Sequence, residues 1–525
     1  MPSKGIKLTD DGRVYRKGKR IYANKDIYEG EFVDGLKHGR GTLRYSNGNK
    51  YVGEFVNDLP EGFGLLIYAG VNEHGDRSAR HRYEGSFKCG KKHGKGLYVS
   101  AKNDTYTGMF ENDLYHGHGV LKTSAGDVYE GEWFKGRASG ENNSVKYHTG
   151  DEYTGGMKAG YFHGNGEFKW RRNQGSYKGE WFKGKPQGRG VRIFVNGNRF
   201  TGSFYNGRIN GDGVMSYANG DQYIGSWVEA HKHGKGVMRY ASGDRYEGSF
   251  MHGFFYGQGK FIWSDGGYYE GEYVNRSMNP VSGISFPDPN GKRNGLGVRV
   301  WKGGNRYEGA WKDDNMHGSG VLQKTEGGKY RGEFWNGLRH GMGSEEFGNT
   351  NNVKYVCPMG VRHKGEGYCV YTGQFSIGYF DGVGEFVCQD GRTYSGEMRR
   401  GKRHGQGSQT YLRDGESGDP KRMFISGVGS LYRFKQYKGT WVEDVKEGEG
   451  EATYVNGDKL EGNFSNGRPH GILKYTFAAT GKTTYATYVH GHRTEWASST
   501  ALKAKKLLNW LDDEATFHRE FNGDY

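Results

Sequence analysis

The chain is 525 residues long, with 94 glycines, nine prolines, aromatics at 15% and a formal net charge of +15. Glycine well above the usual ~7% would suit disorder, but disordered segments are poor in aromatics, and without a Gly-every-third pattern the chain is not collagen. The charge is interleaved with Glu and points only broadly to acidic partners: phospholipid head groups, the acidic surface of a cytoskeletal polymer, or nucleic acid. A solvated mixed-charge surface is the plainer reading.

Residues 1–27 hold no apolar stretch, so no signal peptide is expected. Nothing in the chain approaches ~18 consecutive apolar residues, so no helix is expected to span a membrane. From Tyr28 a single unit recurs. The stretch "YEGEFVDGLKHGRGTLRYSNGN" (28–49) returns as "YRGEFWNGLRHGMG" at Tyr330 and "YSGEMRRGKRHGQG" at Tyr394. Aligned on the opening aromatic, copies start at Tyr28, Tyr51, Tyr83, Tyr106 and onward to Tyr437 and Leu460, mostly 23 residues apart, with degenerate copies at Tyr355 and Tyr485. Such a period decides the architecture before any single motif does.

Within a copy, Tyr-x-Gly-x-Phe/Trp alternates with period two, a strand signal. Tyr28, Gly30 and Phe32 share one face, and a glycine between two aromatics leaves room for a ring to lie on the backbone. Gly-x-x-His-Gly-x-Gly reads as a turn whose glycines supply positive φ. A second alternating run follows ("TLRY", 42–45), and an Asn-Gly or similar turn closes the unit. Each copy is therefore a β-hairpin, and since one hairpin is not stable alone, copies must stack on a shared aromatic face.

The pattern Tyr-x-Gly-x-Phe/Trp-x-x-Gly-x-x-His-Gly-x-Gly resembles the MORN repeat (membrane occupation and recognition nexus) over roughly residues 28–490. The resemblance implies an all-β fold, an elongated twisted antiparallel sheet of stacked hairpins. At ~4.8 Å per strand some eighteen hairpins would make a rod on the order of 170 Å long.

Where the period fails, loops are expected. The chain divides into a lead-in (1–27), a first array block (28–273), an insertion (274–306), a second block (307–411), a further insertion (412–436), a third block (437–496) and a tail (497–525). Extra residues also fall between Tyr51 and Tyr83. In the tail, glycine disappears and Leu507, Leu508, Leu511 and Ala515 take helical spacing, with Ser499 or Thr500 as N-cap. Trp510 and Phe517 widen that apolar face. A short helix that covers the last sheet edge or docks a partner is expected. Partner choice is expected in the two insertions and this helix, since similar repeats present similar surfaces.

Catalytic and metal sites are not expected. The motif histidines (His38, His93, His116, His163, His233, His317, His340, His404 and His470) would lie roughly 10 Å apart in successive copies. Ligands of one zinc must sit ~2.0–2.1 Å from it, so they read as turn hydrogen-bonding residues. "GKTT" at Gly481 lacks the glycine five residues earlier that a phosphate loop needs. Too few residues lie outside the array for the catalytic domains that some MORN proteins carry. No cofactor is expected. Cys89, Cys357, Cys369 and Cys388 form no CxxC pair and read as reduced, buried thiols. One feature could bind anions: Lys37, Arg40, Lys92, Lys95, Lys232, Lys235, Arg339 and Arg403 recur beside the motif His-Gly and should project along one edge.

Two functions remain open. The first is an elongated non-catalytic scaffold that holds several proteins of a large assembly. The resemblance extends to radial-spoke and cytoskeletal MORN proteins, so a ciliary or flagellar axoneme is the expected location. The second is a peripheral membrane protein whose basic edge meets phosphoinositides or other anionic lipid. Acidic cytoskeletal surfaces are candidate partners, a homodimer is conceivable, and nucleic acid is not expected.

Overall fold

A computed structural model describes residues 6–8, 12–70, 81–171, 174–274, 291–347, 368–389, 391–411 and 434–497. The expected helix after Ser499 and the degenerate copy at Tyr355 lie outside these residues. The described residues are all β, built of antiparallel strands that pair mostly with their chain neighbours. They fall into two units, one running to Gly243 and joined by 249–253, the other formed by 244–248 and everything from Phe254 on. The strand Arg245–Met251 is shared at that division.

The repeat is a hairpin, as its alternation implies, but its turn is tighter than expected. Ile27–Val33 and Leu36–Arg44 are joined by Asp34 and Gly35 alone, at φ 48° and 80°. Both residues being left-handed is the geometry a two-residue hairpin with natural twist requires. The motif histidine is therefore not in the turn. His38 pairs with Glu31 inside the second strand, next to a bulge at Gly39 (φ 58°), beyond which the register resumes at Gly30 opposite Gly41. The Glu of Tyr-x-Gly-Glu supports the bulge: the backbone N–H of Arg189 donates to Glu180 Oε1 at 2.9 Å and that of Gln406 to Glu397 Oε1 at 3.0 Å.

Register across strands places glycine opposite glycine in most repeats. In the first unit Gly30, Gly41, Gly53 and Gly64 lie side by side on successive strands. In the second, Gly297, Gly309, Gly320 and Gly332 do the same. The tyrosine that opens each repeat lies over this glycine row. Its hydroxyl donates to the carbonyl three residues on, at 2.9 Å for Tyr28 to Glu31 and 3.0 Å for Tyr371 to Gln374. The ring also meets two Phe/Trp rings edge-on, its own repeat's and the next one's: Tyr28 lies 4.9 Å from Phe32 and 5.0 Å from Phe55. Such pairs contribute ~0.5–1.5 kcal/mol each beyond area burial. Tyr28, Tyr51, Tyr223 and Tyr307 are wholly buried in what is only a single sheet.

Two repeats depart from this plan together with their glycine. Asn143 stands where a row glycine would, pairing with Gly155, and Tyr129 is only half-buried. Leu473 stands there in another repeat, and its opener is Leu460, both fully buried. A ring and a side chain cannot occupy the same seat.

Both edges of the sheet are laced. The final residue of each Asn-Gly-Asn/Asp loop accepts the N–H of the next loop, as in Asp26 Oδ1 with Ser46 (2.7 Å) and Asp244 Oδ1 with Ser264 (2.7 Å). On the other edge Asp58 accepts from Lys37 N–H at 2.8 Å and donates its own N–H back to the Lys37 carbonyl. The insertions fall between paired strands and leave the register intact: Ile67 still opposes Arg82, and Thr410 opposes Gln436. The stretch 274–306, read as a loop, is partly strand. Lys292–Val300 pairs with Tyr268–Val274, because "GKRNGLG" keeps the motif spacing with Asn294 in the histidine position. In the lead-in, Val14–Ile21 pairs with Ile27–Val33 and brings Gly18 opposite Gly30.

The cysteines also correct the expectation of reduced thiols. Cys369 and Cys388 oppose each other across a hairpin and form a disulfide, while Cys89 is exposed in a turn. Cys357 lies outside the described residues.

Glycine row substitutions test this fold directly. A Cβ on Gly53 would come 2.6 Å from the Gly64 Cα and 2.7 Å from the Tyr51 ring, whereas one on Gly18 meets nothing within 4 Å. Gly53→Ala is expected to lower the stability of its hairpin by ~1–3 kcal/mol, and Gly18→Ala to change it by less than about 0.5 kcal/mol. Hydrogen exchange of the two hairpins measures the difference.

Candidate binding face

The residues expected to form a basic edge divide between the two faces of the sheet. Lys37, Lys92, Lys232, Arg339 and Arg403 lie opposite Phe32, Phe87, Trp227, Phe334 and Met398, which puts them on the aromatic face. Arg40, Lys95 and Lys235 are exposed on the reverse face. That reverse position holds Phe63, His118, Asp212 and Leu296 in other repeats, so it forms no basic row.

On the aromatic face the cations occupy a slot that other repeats fill with rings. Tyr115 stacks on Tyr106 at 3.7 Å and Phe255 on Tyr246 at 3.5 Å. Lys37 instead lies 4.8 Å from the Tyr22 ring centroid and pairs with Asp58 at 3.0 Å. Lys92 sits 5.0 Å from Tyr98, and Lys232 5.7 Å from Tyr223 and Phe250. Burial holds both ammonium groups below their ordinary pKa. Arg339 pairs with Glu345, and Arg403 with Asp444 (2.9 Å) and Gln409 (2.7 Å). Long alkyl stems substitute for a ring while the charged head rests on aromatic faces.

The motif histidines act as packing residues rather than turn ligands. The His163 ring lies 5.3 Å from Phe182 and that of His317 4.7 Å from Trp335. The Nδ1 atoms of His38, His317 and His340 are buried without a hydrogen-bond partner. Among the described residues no group of three His, Cys, Asp or Glu is placed to hold a metal.

Sequence reading missed the cations that matter most on this face. Lys446 is buried among Tyr411 and Phe434 (5.2 Å each) and Tyr437 (5.4 Å). Burial, and secondarily the charge of Arg403, push its ammonium down to about 8. Arg192 stands at a position that is Leu43 or Met215 elsewhere, and its guanidinium carbon lies 3.6 Å from the Trp170 ring centroid. It borders a 710 Å³ groove in the first unit, floored by Trp170, Trp181, Phe194, Phe204 and Met215. Arg299 repeats the arrangement in the second unit, 3.3 Å over Trp263, and burial lowers it to about 10. The available signal was a charged residue in an otherwise apolar column. The candidate docking residues Leu507, Leu508, Trp510, Leu511 and Phe517 lie outside the described residues.

A face of interlocked aromatics on stacked hairpins defines a repeat protein. Seventeen segments from 28–50 to 461–478 match the MORN repeat, and the chain belongs to the MORN repeat family, whose repeats are non-catalytic and mediate protein or lipid contacts. It is 32% identical over 171 residues to Alsin of Homo sapiens, and equally to Alsin of Mus musculus. These matches span 30% of this chain and 9% of each relative. Among solved structures, the SAS-4 TCP domain of Drosophila melanogaster, in complex with a proline-rich motif of Ana2, aligns at 12% identity with a TM-score of 0.20, covering 33% of this chain and 86% of that one. The TCP10 domain of Danio rerio CPAP, in complex with a STIL peptide, aligns at 12% identity with a TM-score of 0.14, covering 59% and 93%. Likeness at these scores carries no argument. No helix among the described residues is long and apolar enough to cross a membrane.

The split of the basic residues between faces is testable. Lys92→Glu or Lys232→Glu places a carboxylate among rings and is expected to destabilise the fold by roughly 1–3 kcal/mol. Lys95→Glu or Lys235→Glu should stay within about 0.5 kcal/mol. Urea unfolding of the four variants separates them.

The Lys446 environment gives a pH signature. With its pKa depressed in the fold, the unfolded chain binds more protons between about pH 8 and the ordinary lysine range near ~10.4, so stability rises with pH across that window. The penalty of the buried cation is present in full below pH 8. Above pH ~10 the buried tyrosines, whose phenols are raised by burial, reverse the trend, because the fold then holds protons that the unfolded chain loses. Lys446→Met is expected to remove the rise between pH 8 and 10 in denaturant midpoints. An unchanged slope would mean that Lys446 is not the group titrating there.

Proposed function

We propose that the protein is a non-catalytic scaffold that docks and spaces several protein partners, working in a ciliary or flagellar axonemal assembly such as a radial spoke. The observation that carries the scaffold reading is how the repeat uses its residues. Tyrosine, glycine, Phe/Trp and the loop Asp/Asn are all engaged in holding the sheet. What varies between copies is the face itself, grooved at Arg192 and ringed at Lys446, together with the insertions at 275–290 and 412–433. Varying faces on a regular support suit multivalent docking, with partner choice written in the insertions and grooves. The axonemal placement rests on the resemblance to radial-spoke MORN proteins.

Binding to phosphoinositides or another anionic surface has less support. Juxtaposed Lys/Arg contribute ~1 kcal/mol each near such a surface, but five of the eight candidates are turned into the aromatic face, and at least three of those are already paired.

Affinity purification from ciliated cells, with immunolocalisation, tests the proposal. Axonemal proteins are expected to co-purify, and replacing 275–290 and 412–433 by short Gly-Asn links should remove some of them while circular dichroism stays unchanged. A uniform plasma-membrane signal, or purification without protein partners, would overturn it.

A further inference from the structure

On the aromatic face several cations have an acidic or amide partner within the fold, as Lys37 has Asp58, Arg293 has Asp314, Arg339 has Glu345, and Arg403 has Asp444 and Gln409. Arg192 has none among the described residues. Its guanidinium lies flat on Trp170 and faces Phe194 at 5.5 Å, and burial holds it below its ordinary pKa. Neighbouring Arg208 is already paired with Glu229. The 710 Å³ groove beside Arg192 is lined mainly by apolar side chains, with Asn196, Asn198 and the paired Arg208 as its other polar groups. Its complement is a segment with large apolar side chains directly followed by carboxylates, since a guanidinium desolvated on a ring gains most from a charged, bidentate acceptor.

The chain itself contains such a segment. Residues 507–517 read "LLNWLDDEATF", with Leu507, Leu508, Trp510 and Leu511 followed by Asp512, Asp513 and Glu514, and no basic residue among them. We propose that this segment of a second copy of the chain seats its Trp510 and leucines in the Arg192 groove and pairs its carboxylates with the guanidinium. The tail of the same chain is the competing occupant, and isotope labelling distinguishes the two. Because the tail and the groove are different surfaces, the contact is head-to-tail and can repeat from copy to copy.

The test uses the purified full-length chain, so its outcome is separate from that of the axonemal placement. A chain carrying Trp510→benzoylphenylalanine, a photoreactive residue, is mixed with a 15N-labelled chain and irradiated, and the cross-links are mapped by mass spectrometry. Links between copies from position 510 to residues around 162–215 are expected. Their yield should fall about tenfold, the equivalent of ~1.4 kcal/mol, in Arg192→Glu and separately in Asp512→Lys/Asp513→Lys. Combining the two reversals should restore it. If Arg192→Glu fails to fold, the tail reversal reads the same contact. Links confined to one chain, links mapping elsewhere, or a yield indifferent to the tail reversal would overturn the proposal.

Discussion

Everything in this fold depends on a tyrosine ring lying flat on a row of glycines. A single-layer sheet has no second layer to bury its apolar face against, yet here the opening tyrosines are fully buried. They achieve it by sinking to the level of the backbone, which a Cβ at the row glycine of either strand of the hairpin would prevent. At that depth the hydroxyl reaches the carbonyl three residues on, and the ring edges meet the Phe/Trp of two repeats. Hydrogen bond, ring contact and register all follow from the absence of one carbon atom. The repeats at Asn143 and Leu473 confirm the dependence from inside the same chain, because loss of the glycine goes with a lifted or replaced tyrosine.

The same geometry explains why charge and aromatics share a face. The slot beside each tyrosine is long, narrow and walled by rings, so it accepts Tyr115, Phe162 or Pro186 as readily as the stem of Lys92. A lysine there is a packing residue whose ammonium rests on π-faces and which has given up part of its hydration. Where an acid lies in reach, as for Arg403, the cation is neutralised within the fold. Where none does, as for Arg192 and Lys446, the face keeps a localised charge in apolar surroundings, and specificity can reside there. The regular part of the array thus supplies support, and its exceptions give the face its variation.

The period, the hairpin, the glycine beneath a ring and the membership of the repeat family could all be read from residue order. They depend on alternation and spacing within some twenty residues, and a copy repeated many times averages out local noise. Sequence order also carried a hint about the slot, since Tyr115, Phe162 and Pro469 alternate there with lysine. That hint was outweighed by the recurrence of charge.

Tertiary structure decided what depends on register between strands. The two-residue turn at Asp34 and Gly35 leaves His38 inside a strand and lets Lys37 and Arg40, three residues apart, alternate to opposite faces, and the bulge that each repeat carries, at Gly39 in this one, shifts pairing by two residues. It brings Cys369 opposite Cys388, 19 residues apart with no motif to announce the pair. It also carries Arg192 over Trp170, a residue of the preceding hairpin. Spacing along one strand determines which side chains share a face, whereas the register between strands determines which residues they meet on the neighbouring strand. That register is set by a bulge whose position emerges only when glycine, glutamate and tyrosine are packed together.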